Sequence, residues 1–459
     1  MALTHYFCEM AWLGGTSPVR DVLVTVDQGR IDAVKADARR PSTALVLSGL
    51  TLPGFANVHS HAFHRALRGV TERPGSFWTW RDDMYKIAAA LDPLSYRALA
   101  RAVYGEMVLA GFSLVGEFHY LHHRNDGRPY DDPNAFGSAL FDAAGEAGIR
   151  MTLPDACYLE GAPGQPAVEV HRRFSDGDAA AWAARAGALA DKVKERSCVK
   201  VGAAVHSLRA VPPPEVEAVA GWAAAREAPL HVHVSEQTAE NEEVARAYGV
   251  TPTTLLARAT ALGPRTTAVH ATHLGAADVR ALGETSTTVC MCPTTERFLA
   301  DGIGPAAALA DAGCALALGS DCHAIIDPFE EMRALELDER LASHRRGRFS
   351  AVALLEAATL AGYSALGWPE GGRLAEGALA DLVTVGLRSV RLAGAGLDHL
   401  LERVVFAASA ADVCHVVVDG RAVVEAARHV DLGDVAEELA AQIGAVAAAA
   451  KAASDEARP

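Results

Sequence analysis

Thr51-Leu52-Pro53-Gly54-Phe55-Ala56-Asn57-Val58-His59-Ser60-His61 reads as an apolar strand that ends in two imidazoles. Successive side chains of a strand point to opposite faces, so His59 and His61 share one. Four other stretches also stop on a metal-binding or proton-transferring side chain: His231-Val232-His233-Val234-Ser235-Glu236, Val269-His270-Ala271-Thr272-His273, Leu318-Gly319-Ser320-Asp321 and His206-Ser207-Leu208-Arg209. A closed barrel of parallel strands points every C-terminal strand end at the same mouth, so ligands far apart in the chain converge there. Two imidazoles from one strand, a third from another and a carboxylate from the last make a three-nitrogen, one-oxygen set suited to zinc or another divalent transition ion. One coordination position stays open for water, the expected nucleophile.

Outward from these motifs, apolar runs alternate with amphipathic, alanine-rich helices such as Ala179 to Val193 and Pro213 to Arg226, the pattern of repeated βα units. Strands are expected near Thr51–His59, Ser113–Phe118, Arg150–Ala156, Lys200–Val205, Pro229–Val234, Thr266–His270, Thr287–Met291 and Ala315–Gly319, which makes an eight-stranded α/β barrel of the TIM type. Short β-rich runs flank it. Val22-Leu23-Val24-Thr25-Val26 and Gly29-Arg30-Ile31 precede it; Asp381 to Val385 and Cys414 to Gly420 follow it. The two flanks are expected to join in one small β-sandwich built from both chain ends. The expected division is 1–53 and 376–430 for the sandwich, 54–375 for the barrel, and 431–459 for a C-terminal helix. That helix, Val435 to Ala453, follows Asp431 and Asp434, which suit a helix N-terminus. It is read either as a contact in a homodimer or as packing on its own subunit.

With 459 residues the chain exceeds a barrel of roughly 250 residues by enough for a small second domain. No run approaches the roughly 20 apolar residues of a membrane span, and the first residues lack a basic segment followed by a clean apolar core, so the expectation is a cytoplasmic enzyme with no membrane partner. A net charge of −15 argues against a nucleic-acid partner, whose phosphates demand basic surface, but leaves room for a small anionic substrate. The eight cysteines are dispersed and read as reduced thiols; Cys290 and Cys292 are read as packing.

Strand alternation lets His231 and His233 share a face, so spacing alone does not choose between them. Here the chain resembles the amidohydrolase superfamily in its mononuclear deaminase branch, where His-x-x-Glu supplies a ligand and then a proton-transferring acid. The resemblance implies that His233 is a metal ligand with His59, His61 and Asp321, that Glu236 relays protons, and that His231 is structural. It implies further that Asp321 accepts a proton from the attacking water and that His270 hydrogen-bonds the developing oxyanion. Binuclear members carry a bridging lysine or glutamate at a middle strand end. Lys200 sits at a strand start and His206 at that strand's end, so a single divalent ion, zinc foremost, is expected.

The tracts His59-Ser60-His61-Ala62-Phe63-His64-Arg65-Ala66, Ser76-Phe77-Trp78-Thr79-Trp80-Arg81, Glu117-Phe118-His119-Tyr120 and His206-Ser207-Leu208-Arg209-Ala210-Val211 sharpen the resemblance to the formimidoylglutamate deiminase family of histidine degradation. Such a substrate carries two carboxylates and an amidine, so its pocket needs cations set apart from the metal. Arg81 and Arg209 follow strands one and four and pair bidentately with carboxylates. Tyr120 and His206 are read as further donors to the substrate, Trp78 and Trp80 as packing, Glu117 and His119 as hydrogen-bonding support for the ligands. His64 stands where that family has a glutamine; it keeps a donor and is expected to titrate near neutrality.

The resulting expectation is metal-assisted hydrolysis of N-formimidoyl-L-glutamate to N-formyl-L-glutamate and ammonia. The alternatives are a related deaminase acting on a purine, pterin or guanidine compound, and a barrel scaffold without catalysis.

Overall fold

The apolar run that opens at Thr51 serves two sheets, and Gly54 is where it passes from one to the other. In the computed structural model, which describes residues 3–394 and 396–456, Leu45–Pro53 is a strand of one sheet and Phe55–Ser60 the first strand of another. The Gly54 N–H donates to Asp381 O at 2.9 Å, and a Cβ at this position would stand 2.0 Å from Ser113 Oγ. The strand expected from Thr51 to His59 is therefore two strands, because only glycine fits at the crossing.

Phe55–Ser60, Phe112–Glu117, Arg150–Cys157, Val199–Ser207, Leu230–Val234, Thr266–His270, Thr288–Met291 and Leu316–Leu318 pair in parallel in that order. The eighth strand's end returns to the first. The Asp321 N–H donates to His59 O at 2.9 Å, the His61 N–H donates to Asp321 O at 3.2 Å, and Ser60 faces Asp321 in a parallel bridge. The sheet thus closes as a (β/α)8 barrel.

The helices between the strands form where an apolar face recurs at 3–4 residue spacing. In Ala179–Val193 the buried Trp182, Ala186, Leu189 and Val193 make that face, and the Asp178 carboxylate caps the start by accepting the Ala181 N–H. Pro213–Ala225 opens with proline at its first turn, where no N–H partner is needed.

The two β-rich flanks meet in one continuous eight-stranded sheet. Leu382–Val385 lies antiparallel beside Leu45–Pro53, pairing Leu382 with Pro53 and Val383 with Leu52; Thr4–Ala11 runs parallel on the other side. Arg150, at the start of the third barrel strand, donates to Asp381 from Nε at 3.0 Å and Nη2 at 3.2 Å, both side chains being 1 % exposed. This bidentate pair fastens the barrel floor to the end sheet. The C-terminal helix Val435–Glu456 packs on the helix Pro93–Leu109 of the same chain, where Arg101 pairs with Glu438 at 2.6 Å. Among the described residues no helix is long and apolar enough to cross a membrane, and all eight cysteines are free.

Candidate metal and substrate site

At the mouth of the barrel, the register of the first strand turns His59 and His61 inward, and the fifth and eighth strands add His233 and Asp321. Nε2 of His59 lies 2.9 Å from Nε2 of His233 and 3.3 Å from Oδ1 of Asp321; Nε2 of His61 lies 3.4 Å from the same Oδ1. Donor atoms around a tetrahedral ion with bonds of about 2.0–2.1 Å stand about 3.3 Å apart. The observed spacings match. The imidazole tautomers match too: Nδ1 of His61 is 3.0 Å from Phe118 O and Nδ1 of His233 is 2.8 Å from His206 O. A carbonyl only accepts, so each Nδ1 carries the proton and each Nε2 presents a lone pair to the common point. Burial holds the pKa of His59 below its ordinary value and those of His61 and His233 well below, keeping the imidazoles neutral. These residues fit a divalent ion.

Beside this set, His270 stands among carboxylates. His270 Nε2 lies 3.8 Å from Asp321 Oδ2 and 3.9 Å from Glu236 Oε1, and its Nδ1 faces Glu296 at 3.6 Å. His270 has φ +67°, a left-handed conformation that turns the chain after its strand. Burial pushes the Glu236 carboxyl up to about 7 against the nearby His270 and Arg209 charges. Burial likewise opposes charge on His270, yet Glu236, Glu296 and Asp321 around it hold its pKa well above the ordinary value. Asp321 is pushed up by burial, but His59 and His270 bring it below the usual carboxylate range.

A cleft opens from these groups and is walled by His64, Trp80, Arg81, Tyr120, His206 and Arg209, among others. Arg81 lies over the Trp78 ring at 4.4 Å. Nε of Arg81 and Nε of Arg209 are both buried without a hydrogen-bond partner. His64, Arg81, Tyr120, His206 and Arg209, the pocket residues expected from the sequence, all line this cleft, and two of them face each other: His64 Nε2 and the Tyr120 hydroxyl are 3.0 Å apart. His64 is 3 % exposed, and burial pushes its pKa down to about 3. The expectation that it titrates near neutrality is corrected by that burial.

A scan of family models matches residues 50–423 to the amidohydrolase family. The chain belongs to that family. It is 39 % identical over 398 residues to formimidoylglutamate deiminase of Pseudomonas aeruginosa, covering 83 % of this chain and 86 % of the relative. It is 29 % identical to 5-methylthioadenosine/S-adenosylhomocysteine deaminase of Halobacterium salinarum, covering 92 % and 95 %. Among solved structures, an amidohydrolase from Brucella melitensis superposes with a TM-score of 0.90 at 31 % identity, covering 97 % of this chain and all of that one.

In this amidohydrolase, residues with no motif of their own also reach the site. Glu240 is fully buried, accepts the Glu236 N–H at 3.2 Å and lies 4.0 Å from Arg209 Nε. Tyr85 and Tyr158 line the cleft. Tyr158 follows the third barrel strand directly, a position at the same mouth that strand-end reasoning reaches. Glu117 supports the ligand loop, accepting from Ser60 Oγ at 2.5 Å and the Ala62 N–H at 2.7 Å. His231 turns away, with Nε2 3.2 Å from Ala365 O. Lys200 lies at the opposite end of its strand, its ammonium donating to Gly367 O. A second histidine–carboxylate group, His119, His122 and Asp155, is occupied otherwise: the Arg185 guanidinium donates to both Asp155 oxygens, at 2.9 and 2.8 Å, and already supplies the positive charge.

Proposed function

We propose that this amidohydrolase hydrolyses N-formimidoyl-L-glutamate to N-formyl-L-glutamate and ammonia. One observation carries the reading: two guanidinium groups whose buried Nε atoms have no hydrogen-bond partner line the cleft that leads to the converging imidazoles and carboxylate. A substrate that carries two carboxylates as well as an amidine complements that layout. The similarity to the Pseudomonas aeruginosa deiminase supports the same substrate.

In this reading His59, His61, His233 and Asp321 hold one divalent ion, and three nitrogens with one oxygen favour zinc. When bound, the ion supplies Lewis-acid activation of a water, lowering its pKa from about 15.7 toward about 7. Asp321 accepts the proton released as oxygen bonds to the amidine carbon and the C=N π pair moves onto nitrogen. Glu236 relays two protons to that nitrogen, the one held by Asp321 and the one left on the added hydroxyl, and the nitrogen leaves as ammonia when the C–N bond breaks and the carbonyl forms, so both protons of the water end in ammonia. His270, held between the two carboxylates, hydrogen-bonds the oxygen as charge builds on it. Arg81, Arg209, Tyr120 and His206 orient the diacid, and His64 contributes as a neutral hydrogen-bonding group.

Incubating the metal-loaded enzyme with N-formimidoyl-L-glutamate tests this. Stoichiometric ammonia and N-formylglutamate support the reading; intact substrate after prolonged incubation overturns it.

A further inference from the structure

The first and eighth barrel strands carry three of the four donors, yet their junction is the least paired in the barrel. Every other adjacent pair of barrel strands is registered over at least three residue pairs; this one is held by the Ser60–Asp321 bridge. Beneath the bridge lies a buried chain of side chains that spans the same seam. Ser320 N–H donates to Asn57 Oδ1 at 2.9 Å, so the amide of Asn57 points its NH2 at Ser320 Oγ, 2.7 Å away. Ser320 Oγ is 3.0 Å from Nδ1 of His323, and Nε2 of His323 is 3.1 Å from Ser60 Oγ. Ser60 Oγ donates at 2.5 Å to Glu117, whose other oxygen accepts from the Ala62 N–H and the Tyr96 hydroxyl.

The chain has one consistent direction. The single Ser60 proton is committed to Glu117, so Ser60 accepts from His323 Nε2–H; Nδ1 of His323 then carries a lone pair and accepts from Ser320 Oγ–H. Every polar side-chain atom of Asn57, Ser60, Ser320 and His323 is thereby used, and all four residues are fully buried. His323 has φ +57° and Asp321 φ +39°, left-handed conformations rare in non-glycine residues that need local support. The support includes His323 N–H on Ser320 O at 2.8 Å and Arg68 Nε on His323 O at 2.6 Å.

We infer that His323 is a positioning residue that, through Ser60 and Ser320, ties the strand end bearing His59 and His61 to the strand end bearing Asp321 and so sets the spacing of the metal donors. The inference rests on the reading that these residues and His233 hold the ion. Ser60 lies between two of the donors and Ser320 directly precedes a third, so a break at either serine frees one strand end from the other. Supporting partners of this kind change metal affinity by about 10–100-fold when removed.

The test uses the full chain with Ser60→Ala, Ser320→Ala and His323→Phe, the serine variants standing in if the phenylalanine fails to fold. Zn2+ affinity is measured by chelator competition, ligand geometry by the visible absorption of the Co2+-loaded protein, and stability by melting of the metal-free protein. The expected result is at least tenfold weaker Zn2+ binding and an altered Co2+ spectrum, with metal-free melting close to the parent. Parent-like affinity and spectra in the serine variants overturn the inference, as does weakened affinity fully matched by loss of metal-free stability. A parent that binds no stoichiometric ion, or a His233→Ala variant that binds as the parent does, overturns the ligand reading itself and is distinguished by the parent titration.

Discussion

At the scale of single residues, backbone carbonyls decide which face of an imidazole does chemistry. His206 O and Phe118 O hold the Nδ1 protons of His233 and His61 and leave their Nε2 lone pairs convergent. His233→Ala is therefore expected to abolish both bound metal and activity; elemental analysis returning a full equivalent of metal in this variant would contradict the assignment. Glu236→Gln preserves shape while removing a titratable proton, so metal content should hold while kcat falls by about 100- to 10,000-fold, and a rate within a few-fold of the parent would place the relay elsewhere. Arg209 is charged, buried and 4.0 Å from Glu240. Truncating it to alanine should lower kcat/KM on the diacid at least tenfold, in line with roughly 2–5 kcal/mol for one partner of a buried charge pair. An amidine lacking the carboxylates should react equally with parent and variant; equal losses on both compounds would mean that Arg209 serves the fold. The strand-end residues were legible because a barrel gives them one address. Glu240 and the neutral state of His64 were not, since each depends on neighbours brought close only by folding, Arg209 in one case and Trp80 and Tyr120 in the other.

Among the elements, glycines mark where two strands approach too closely for a side chain. A Cβ on Gly319 would stand 2.8 Å from His59 Cβ and 2.9 Å from His59 N, so Gly319→Ala must push the eighth strand from the first. The expected cost is about 1–3 kcal/mol, read as a lower melting temperature, together with weaker metal binding. Unchanged melting and unchanged metal affinity would show that the seam tolerates widening. The alternation of apolar strands and capped helices made all eight barrel strands and helices such as Ala179–Val193 legible from the chain alone. The split at Gly54 was not, because Leu52, Phe55 and Val58 are apolar on both sides of it and the partner that requires the break, Asp381, lies more than three hundred residues away.

Across the whole molecule, the end sheet and the barrel are fastened by a buried charge pair. Asp381 accepts from Arg150, from the Tyr363 hydroxyl at 2.8 Å and from the Asp419 N–H at 2.7 Å. Asp381→Ala leaves the buried Arg150 with only the more exposed Asp419, 3.2 Å from its Nη2, as counter-ion and should destabilise the protein by about 3 kcal/mol, measured by denaturant unfolding; a loss below about 1 kcal/mol would show that the sheet is held by apolar packing instead. That the two chain ends share a sheet was legible in their matching β-rich composition, whereas its continuity through Leu382–Val385 beside Leu45–Pro53 depends on register that composition does not carry. The same long-range closure brings the strand ends to one mouth and produces a cleft with the imidazoles and Asp321 at its base and two arginines on its wall. The central claim is that this cleft selects a dicarboxylate amidine, and the most direct measurement is ammonia release by the Zn2+-loaded enzyme from N-formimidoyl-L-glutamate beside S-adenosylhomocysteine, 8-oxoguanine and simple guanidines. The account predicts rapid, chelator-sensitive release from N-formimidoyl-L-glutamate at a kcat/KM at least about a hundredfold above every other compound, the arginine pairs each contributing roughly 2–5 kcal/mol. Faster release from a purine, or none from N-formimidoyl-L-glutamate, would contradict it.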